Sequence, residues 1–290
     1  MNGVKSHVPD VVKRIYHGIY DGIHSSDRIF DLLYGDTLTI NTGGECLEFN
    51  TSSMIAKRWF YPRYQDGSVH EPVVSQALID VIDSDSTLFD IGANVGFYTV
   101  LGSNFCSEVH AFEMDPRLAS IVSTHFDQGR NGSTDVHIVP SPVGETSGKF
   151  VTFTPHQPGN LSTNTVNTEQ FSPQKNSDFQ IQTISIDDYV AKSGVQPDVL
   201  KIDVEGFELS VLNGLTETVD DVQALLVEIH PNLLKRHGSS AGEVLDIISQ
   251  YGFKIQHFTD HRANTSPEES LEPISKLTSI DENGVVLCTK

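Results

Sequence analysis

Four residues in the second half of the chain carry the side chains that proton transfer needs. Asp203 and Glu205 fall in the run LKIDVEGFE (Leu200 to Glu208), and Glu228 and His230 fall in VEIHP (Val227 to Pro231). Carboxylates and an imidazole abstract protons near neutral pH when they come within hydrogen-bond reach of an acceptor hydroxyl. Side chains alternate along an extended strand, so Glu228 and His230 share one face, as do Lys201 and Asp203. Other uses stay open for the same residues. Asp203 and Glu205 also read as charges at a helix start, and His230, just before Pro231, as a satisfied residue at the rim. Asp203, Glu228 and His230 are also a donor set for a divalent cation. Glu208 reads as a first-turn charge on a helix dipole.

A second group has ligand-binding character. In TLFDIGANVGFYT (Thr87 to Thr99), an apolar run ends at Asp90 and is followed by a glycine-spaced turn and a helix-compatible run. Gly92 and Gly96 let the backbone come close to a nucleotide-like ligand, because a Cβ at either position would fill that space or forbid the turn. Asn94 tolerates unusual backbone angles and serves either the turn or the ligand. Glu113 ends the next strand, 21 residues after Gly92, where an acid in such a unit reaches a ribose diol.

DIGANVGFYT, then AFEMDP, then LKIDVEGFE, in that order and spacing, resemble the FkbM family of S-adenosylmethionine-dependent methyltransferases over residues 71–258. The resemblance implies a Rossmann-like class I methyltransferase fold with an antiparallel last strand, here Gly284 to Cys288. It assigns Asp90 to the turn and the amino end of the methionine part, and Ser141 to the neighbourhood of the adenine. Glu71, just before the first motif, faces the cofactor or only complements a helix dipole. The turn itself favours a sulfonium donor over NAD, since it lacks the middle glycine of G-x-G-x-x-G and holds no Lys or Arg for a pyrophosphate. The family further implies O-methylation of a hydroxyl on a glycan, glycolipid or secondary metabolite. N-methylation, methylation of a small phenol, and a non-catalytic cofactor-binding protein of the same fold are the alternatives.

These residues need a scaffold that brings strand ends together. Strands are predicted near Leu88, Val109, Val136, Val199, Leu225 and Phe253, with helices near Phe97, Arg117, Phe207 and Ala241, the alternation of an α/β protein with a mostly parallel twisted sheet and helices on both faces. Ligands of such sheets bind beyond the carboxyl ends of the strands. Asp90, Glu113, Ser141, Asp203, Glu205, Glu228 and His230 all fall at or just past predicted strand ends. Residues 71–290 form this domain, and residues 1–70 an extension. The extension begins with an amphipathic helix (Val8 to Ile23) that docks on its own domain, on a dimer mate or on a membrane surface. A hairpin over Thr37 to Asn50 follows, then an aromatic segment with Trp59, Phe60, Tyr61 and Tyr64, which reads as core, interface or substrate platform. Pro72 opens the helix that leads to the first strand. Two polar segments, 154–178 and 259–283, read as long loops able to cover a substrate.

The 39 acids against 19 bases, net −20, argue against a nucleic-acid partner, because phosphate binding needs clustered Lys and Arg. Such a surface is simply soluble, or else adapted to high salt, where crowded carboxylates are screened. No apolar run is long enough to span a membrane and no secretory h-region is present, so a cytoplasmic protein is expected. Cys46, Cys106 and Cys288 are too scattered for a zinc knuckle or disulfide framework and are expected to be reduced, buried thiols. The remaining histidines, among them His110, His125, His137 and His156, show no spacing that suggests a shared site.

Overall fold

The structure, a computed structural model, describes residues 33–42, 44–127, 134–154, 165–167, 179–274 and 282–290. The expected helix over Val8 to Ile23 and His156 lie outside these residues. The first described strands are the hairpin of β1 (Thr37–Asn41) and β2 (Cys46–Asn50), paired antiparallel. A π-helical turn over Ala56–Phe60 runs into α1 (Tyr61–Tyr64), and α2 (Pro72–Val81) starts with proline in its first turn, where the missing N–H is no loss. Then come β3 (Thr87–Ile91), α3 (Phe97–Gly102), β4 (Glu108–Phe112), α4 (Pro116–Thr124) and β5 (Asp135–Val139). A separate three-stranded sheet holds β6 (Phe150–Thr154), β7 (Thr165–Asn167) and β8 (Phe179–Gln182) in the order β7-β6-β8. The rest is α5 (Ile186–Ser193), β9 (Val199–Ile202), α6 (Glu208–Asn213), β10 (Ala224–Ile229), α7 (Pro231–Arg236), α8 (Ala241–Gln250), β11 (Lys254–Phe258), α9 (Pro267–Ser270), β12 (Leu271–Pro273) and β13 (Gly284–Thr289).

The main sheet has eight strands in the order β12-β11-β13-β10-β9-β3-β4-β5. The block β10-β9-β3-β4-β5 is parallel, and β13 runs antiparallel between β10 and β11. The expected antiparallel last strand is therefore present. β3 is buried along its whole length, as a central parallel strand covered on both faces must be. Its alternation feeds two cores: Leu88 joins Val109 and Val199 on one face, while Phe89 and Ile91 join Leu200 and Ile202 on the other. The hairpin adds Leu47 and Phe49 to the first core, where the Phe49 ring lies 4.8 Å from Phe60 and 5.7 Å from Phe97. Each such buried phenylalanine contributes about 1.5–3 kcal/mol. Phe60 and Tyr64 of the aromatic segment are thus core residues.

Capping residues start the helices where the sequence supplies them. Asp115 accepts from the Arg117 amide at α4, Ser185 from Asp188 at α5 and Ser240 from Glu243 at α8.

Three expectations change. The polar segment 154–178 is not a loop throughout, because Thr165–Asn167 pairs with β6. Segment 259–283 contains α9 and β12, and β12 pairs with the outer edge of β11, whose ladder groups would otherwise be unpaired. Of the three thiols, Cys106 and Cys288 are buried but Cys46 is exposed, because β2 turns Leu47 and Phe49 inward and Cys46 and its alternate neighbours outward.

Candidate active site

β3 has β9 on one side and β4 on the other, so a crevice opens beyond the carboxyl ends of these three strands. The backbone after β3 turns through Gly92 (φ 82°), Asn94 (φ 53°) and Gly96 (φ 86°). The amides of Gly92 and Ala93 both donate to the Phe112 carbonyl, at 2.9 and 3.0 Å, which fastens the turn to the end of β4. Glu113 completes this stitch: its Oε2 accepts from the Asn94 amide at 2.7 Å and its Oε1 from the Asp115 amide at 2.8 Å. Burial pushes the Glu113 carboxyl up to about 8, against the pull of those two amides. The glycines work differently from the expectation. A Cβ on Gly92 would meet the Asp203 backbone and one on Gly96 would meet Val122 and His125, so close packing of the protein on itself, along with the positive φ, demands glycine.

The resulting cleft encloses about 930 Å³, including its open mouth, and is lined by Asn94, Glu113, Ser141, Asp203 and Glu205 together with apolar side chains such as Leu118 and Phe207. Its charged lining is wholly acidic. The buried Asn94 Oδ1 faces no hydrogen-bond donor of the chain. Ser141 sits at the far side, its hydroxyl donating to the Gln182 carbonyl at 2.9 Å. Asp90 is fully buried and does not line the cleft. Its Oδ2 accepts from Thr99 at 2.6 Å, and its Oδ1 lies 3.8 Å from Lys201 Nζ, which ties β3 to α3 and β9.

Behind Asp203 and Glu205 lies a dense charged cluster. Lys201 sits in the buried strand β9, and its Nζ stands 3.3 Å from Asp203 Oδ2. Burial opposes the ammonium charge, yet Asp203, Asp90 and Glu228 together raise the Lys201 pKa above its ordinary value. Burial likewise opposes the Asp203 carboxylate, and Lys201 followed by His230 overrides it and lowers that pKa. His230, 2% exposed, hydrogen-bonds through Nδ1 to Glu208 Oε1 at 2.7 Å. Its Nε2 faces three carboxylates: Glu228 at 3.4 Å, Glu205 at 3.7 Å and Asp203 at 3.8 Å. Burial disfavours the imidazolium, but the hydrogen bonds to Glu208 and Glu228 and the Asp203 charge push it up to about 11. Glu205, in the left-handed region at φ 52°, is pushed up to about 7 by burial, with His230 pulling the other way.

Glu71 approaches from the start of α2. It accepts from the Tyr98 hydroxyl at 2.9 Å, lies 3.8 Å from both His70 and His261, and is pushed up to about 7 by burial and then by the Glu228 charge. Its carboxyl belongs to the cluster and is absent from the cleft lining.

All four predicted proton-transfer residues therefore converge, and Asn94, Glu113 and Ser141 line one cleft with two of them. Sequence reasoning missed Glu208, which is fully buried and also accepts from the Gly206 amide at 2.9 Å. An acid in the otherwise apolar start of α6 was the available signal, since a buried charge needs a partner. A lysine inside the apolar strand VLKI was a similar signal for Lys201. Tyr98, His70 and His261 had none. The histidines outside the site were also misjudged: parallel register sets His110 beside His137, with ring centroids 4.6 Å apart.

A parallel sheet that reverses at β3, one antiparallel strand inserted near its edge and a glycine turn pinned by an acid define a Rossmann-like fold of the class I methyltransferase kind. The FkbM methyltransferase domain matches residues 90–255, more than half of the chain, and the chain belongs to that family. It is 31% identical over 162 residues to the hexuronic acid methyltransferase AglP of Haloferax volcanii, a stretch covering 55% of this chain and 62% of that protein. The chain thus spans less than two thirds of that relative. Among solved structures, a TehB-like SAM-dependent methyltransferase from Corynebacterium glutamicum aligns with 13% identity and a TM-score of 0.44, over 81% of this chain and 95% of that one. The magnesium protoporphyrin IX methyltransferase of Synechocystis aligns with 12% identity and a TM-score of 0.42, over 98% of each chain.

Proposed function

We propose that this protein is an S-adenosylmethionine-dependent O-methyltransferase whose acceptor is a hydroxyl of a glycan or lipid-linked sugar, a hexuronic acid unit being the first candidate. The hexuronic acid comes from the named activity of the Haloferax relative. The observation that carries the reading is the continuity between an acidic, base-free cleft and the charged cluster reached through Asp203 and Glu205. A cleft without Lys or Arg suits a donor without phosphates, and its three acids suit a cationic one. The unpartnered Asn94 Oδ1 and the Glu113 carboxylate offer acceptors for amino and hydroxyl groups of such a ligand.

When bound, the donor supplies an electrophilic methyl group on a sulfonium, whose positive charge is lost on transfer. Desolvation and alignment therefore supply much of the acceleration. Glu113 takes the ribose diol, and Ser141 stands at the adenine end. Glu205, at the boundary between cleft and cluster, takes the proton of the acceptor hydroxyl as general base. Asp203, held ionised by Lys201, orients the acceptor. His230, fixed by Glu208, balances the surrounding carboxylates and serves as a positioning residue with Glu228. Glu71 closes the cluster on the α2 side.

One observation favours a second version of the same site. Glu208 holds Nδ1 of His230, while Nε2 stands 3.4–3.8 Å from three carboxylate oxygens, with Glu228 the nearest. A divalent cation shared by Asp203, Glu228 and His230 would lower the acceptor hydroxyl pKa directly. Turnover that survives chelation and ignores added magnesium and manganese decides against it.

The reading includes a cytoplasmic site of action, and the segment Val8 to Ile23 as a homodimer or peripheral membrane contact. Among the described residues, no helix is long and apolar enough to cross a membrane. Calorimetry with S-adenosylhomocysteine and with NAD tests the donor, and mass gain by one methylene on uronic-acid oligosaccharides tests the acceptor. Tight NAD binding with no response to S-adenosylhomocysteine would overturn the assignment. Donor binding without methylation of any sugar would overturn the acceptor and leave N-methylation, methylation of a small phenol or a non-catalytic binding protein.

A further inference from the structure

Glu108 opens β4, and His110 and His137 sit at the middle of β4 and β5; none of the three takes part in the reaction described above. Parallel register pairs His110 with His137, and the period of two puts Glu108 on the same face. Nε2 of His110 lies 2.9 Å from Glu108 Oε1, and Nε2 of His137 lies 3.2 Å from that same oxygen. The Tyr189 hydroxyl of α5 engages Nδ1 of His110 at 2.6 Å, so the ring turns its other nitrogen toward Glu108. His110 is almost fully buried, whereas the Glu108 and His137 side chains are 27% and 32% exposed, which leaves a path from solvent.

From this arrangement we infer that Glu108, His110 and His137 form a second site, separate from the cleft, that binds a divalent transition-metal ion of the zinc type. Two donors each about 2.0–2.2 Å from one ion lie about 2.9–3.5 Å apart at right-angled to tetrahedral geometry, and the two measured separations fall in that range. Two imidazoles and one carboxylate select zinc, cobalt or nickel over magnesium and calcium, which prefer all-oxygen sites. Tyr189 fixes the ring of a ligand from behind, as outer partners of metal-bound histidines do. A bound ion would clamp β4, β5 and α5 together.

The test uses the full chain, stripped with a chelator and titrated with zinc chloride while calorimetry counts bound ions and a thermal melt follows stability. Expected are saturable binding and a raised melting temperature. The half-exposed substitutions His137→Gln and Glu108→Gln should each remove one ion per chain, and Tyr189→Phe should weaken the same ion about tenfold or more. Asp203→Asn and His230→Ala should keep it, which separates this site from the proposed reaction centre. No saturable zinc uptake by the wild-type chain, or undiminished uptake by folded His137→Gln, overturns the inference.

Discussion

A Cβ placed on Gly92 would stand 1.8 Å from the carbonyl oxygen of Asp203. The turn that lines the donor cleft is thus packed directly against the strand end proposed to meet the acceptor. Gly92 also has φ 82°, a region in which an L side chain costs about 1–2 kcal/mol. Gly92→Ala is expected to lower stability by more than about 2 kcal/mol and to weaken S-adenosylhomocysteine binding. Urea unfolding and calorimetry check this; an unmoved midpoint with wild-type affinity would mean that the contact has slack.

Glu113 predicts a pH dependence. Its carboxyl is pushed from 4.5 up to about 8, so between those values the native chain keeps a proton that the unfolded chain has lost. The unfolded state then binds fewer protons, so this group's contribution to stability falls as pH rises from about 4.5 and levels off past about 8. A ribose diol, which donates, prefers the carboxylate. Affinity for S-adenosylhomocysteine should therefore rise with pH, by at most about tenfold per unit, and level near pH 8. Glu113→Gln should bind more weakly with a flat profile, and a wild-type affinity that fell over this range would contradict the role.

Glu205→Gln should reduce kcat by about 10²- to 10⁴-fold while the chain still binds S-adenosylhomocysteine. Single-turnover kinetics separates this from a binding defect. A raised KM with intact kcat would move the base elsewhere in the cluster.

Glu208→Ala leaves the buried His230 ring without its 2.7 Å partner and should cost about 3–5 kcal/mol, as removing one member of a buried pair does. Glu208→Gln keeps an acceptor oxygen and should cost less. Denaturant midpoints for the two variants give the comparison, and a near-neutral alanine variant would remove Glu208 as the residue that fixes the ring.

The surface predicts a salt response. A net charge of −20 repels itself over a Debye length of about 30 Å in 0.01 M salt and about 3 Å in 1 M. The melting temperature should climb as KCl is raised across that range, and a flat response would rule out adaptation to high salt.

The glycine turn and the acid that pins it were legible because their information is local. Asp90, Gly92, Asn94 and Gly96 lie in one short run whose order prescribes strand, turn and helix, and Glu113 ends the next strand. The pairing of Glu228 with His230, and of Lys201 with Asp203, followed from the two-residue period of a single strand. Beyond one strand the reading failed. Glu208 looked like a charge on the end of a helix, and the polar segments concealed the short helix α9 as well as β7 and β12, which form only because a partner strand supplies hydrogen bonds.

By itself the sequence determined the alternating α/β class, the glycine turn with its acid at Glu113, the family, and the acid-rich strand ends from which chemistry could come. The tertiary structure alone decided which charges meet. Strand order brings β9 and β10 side by side, so that Glu205, Glu208 and Glu228 surround His230, and β4 beside β5, so that His110 stacks on His137. Strand order rests on long-range burial of apolar faces, and no local run of residues encodes which neighbour a strand will take.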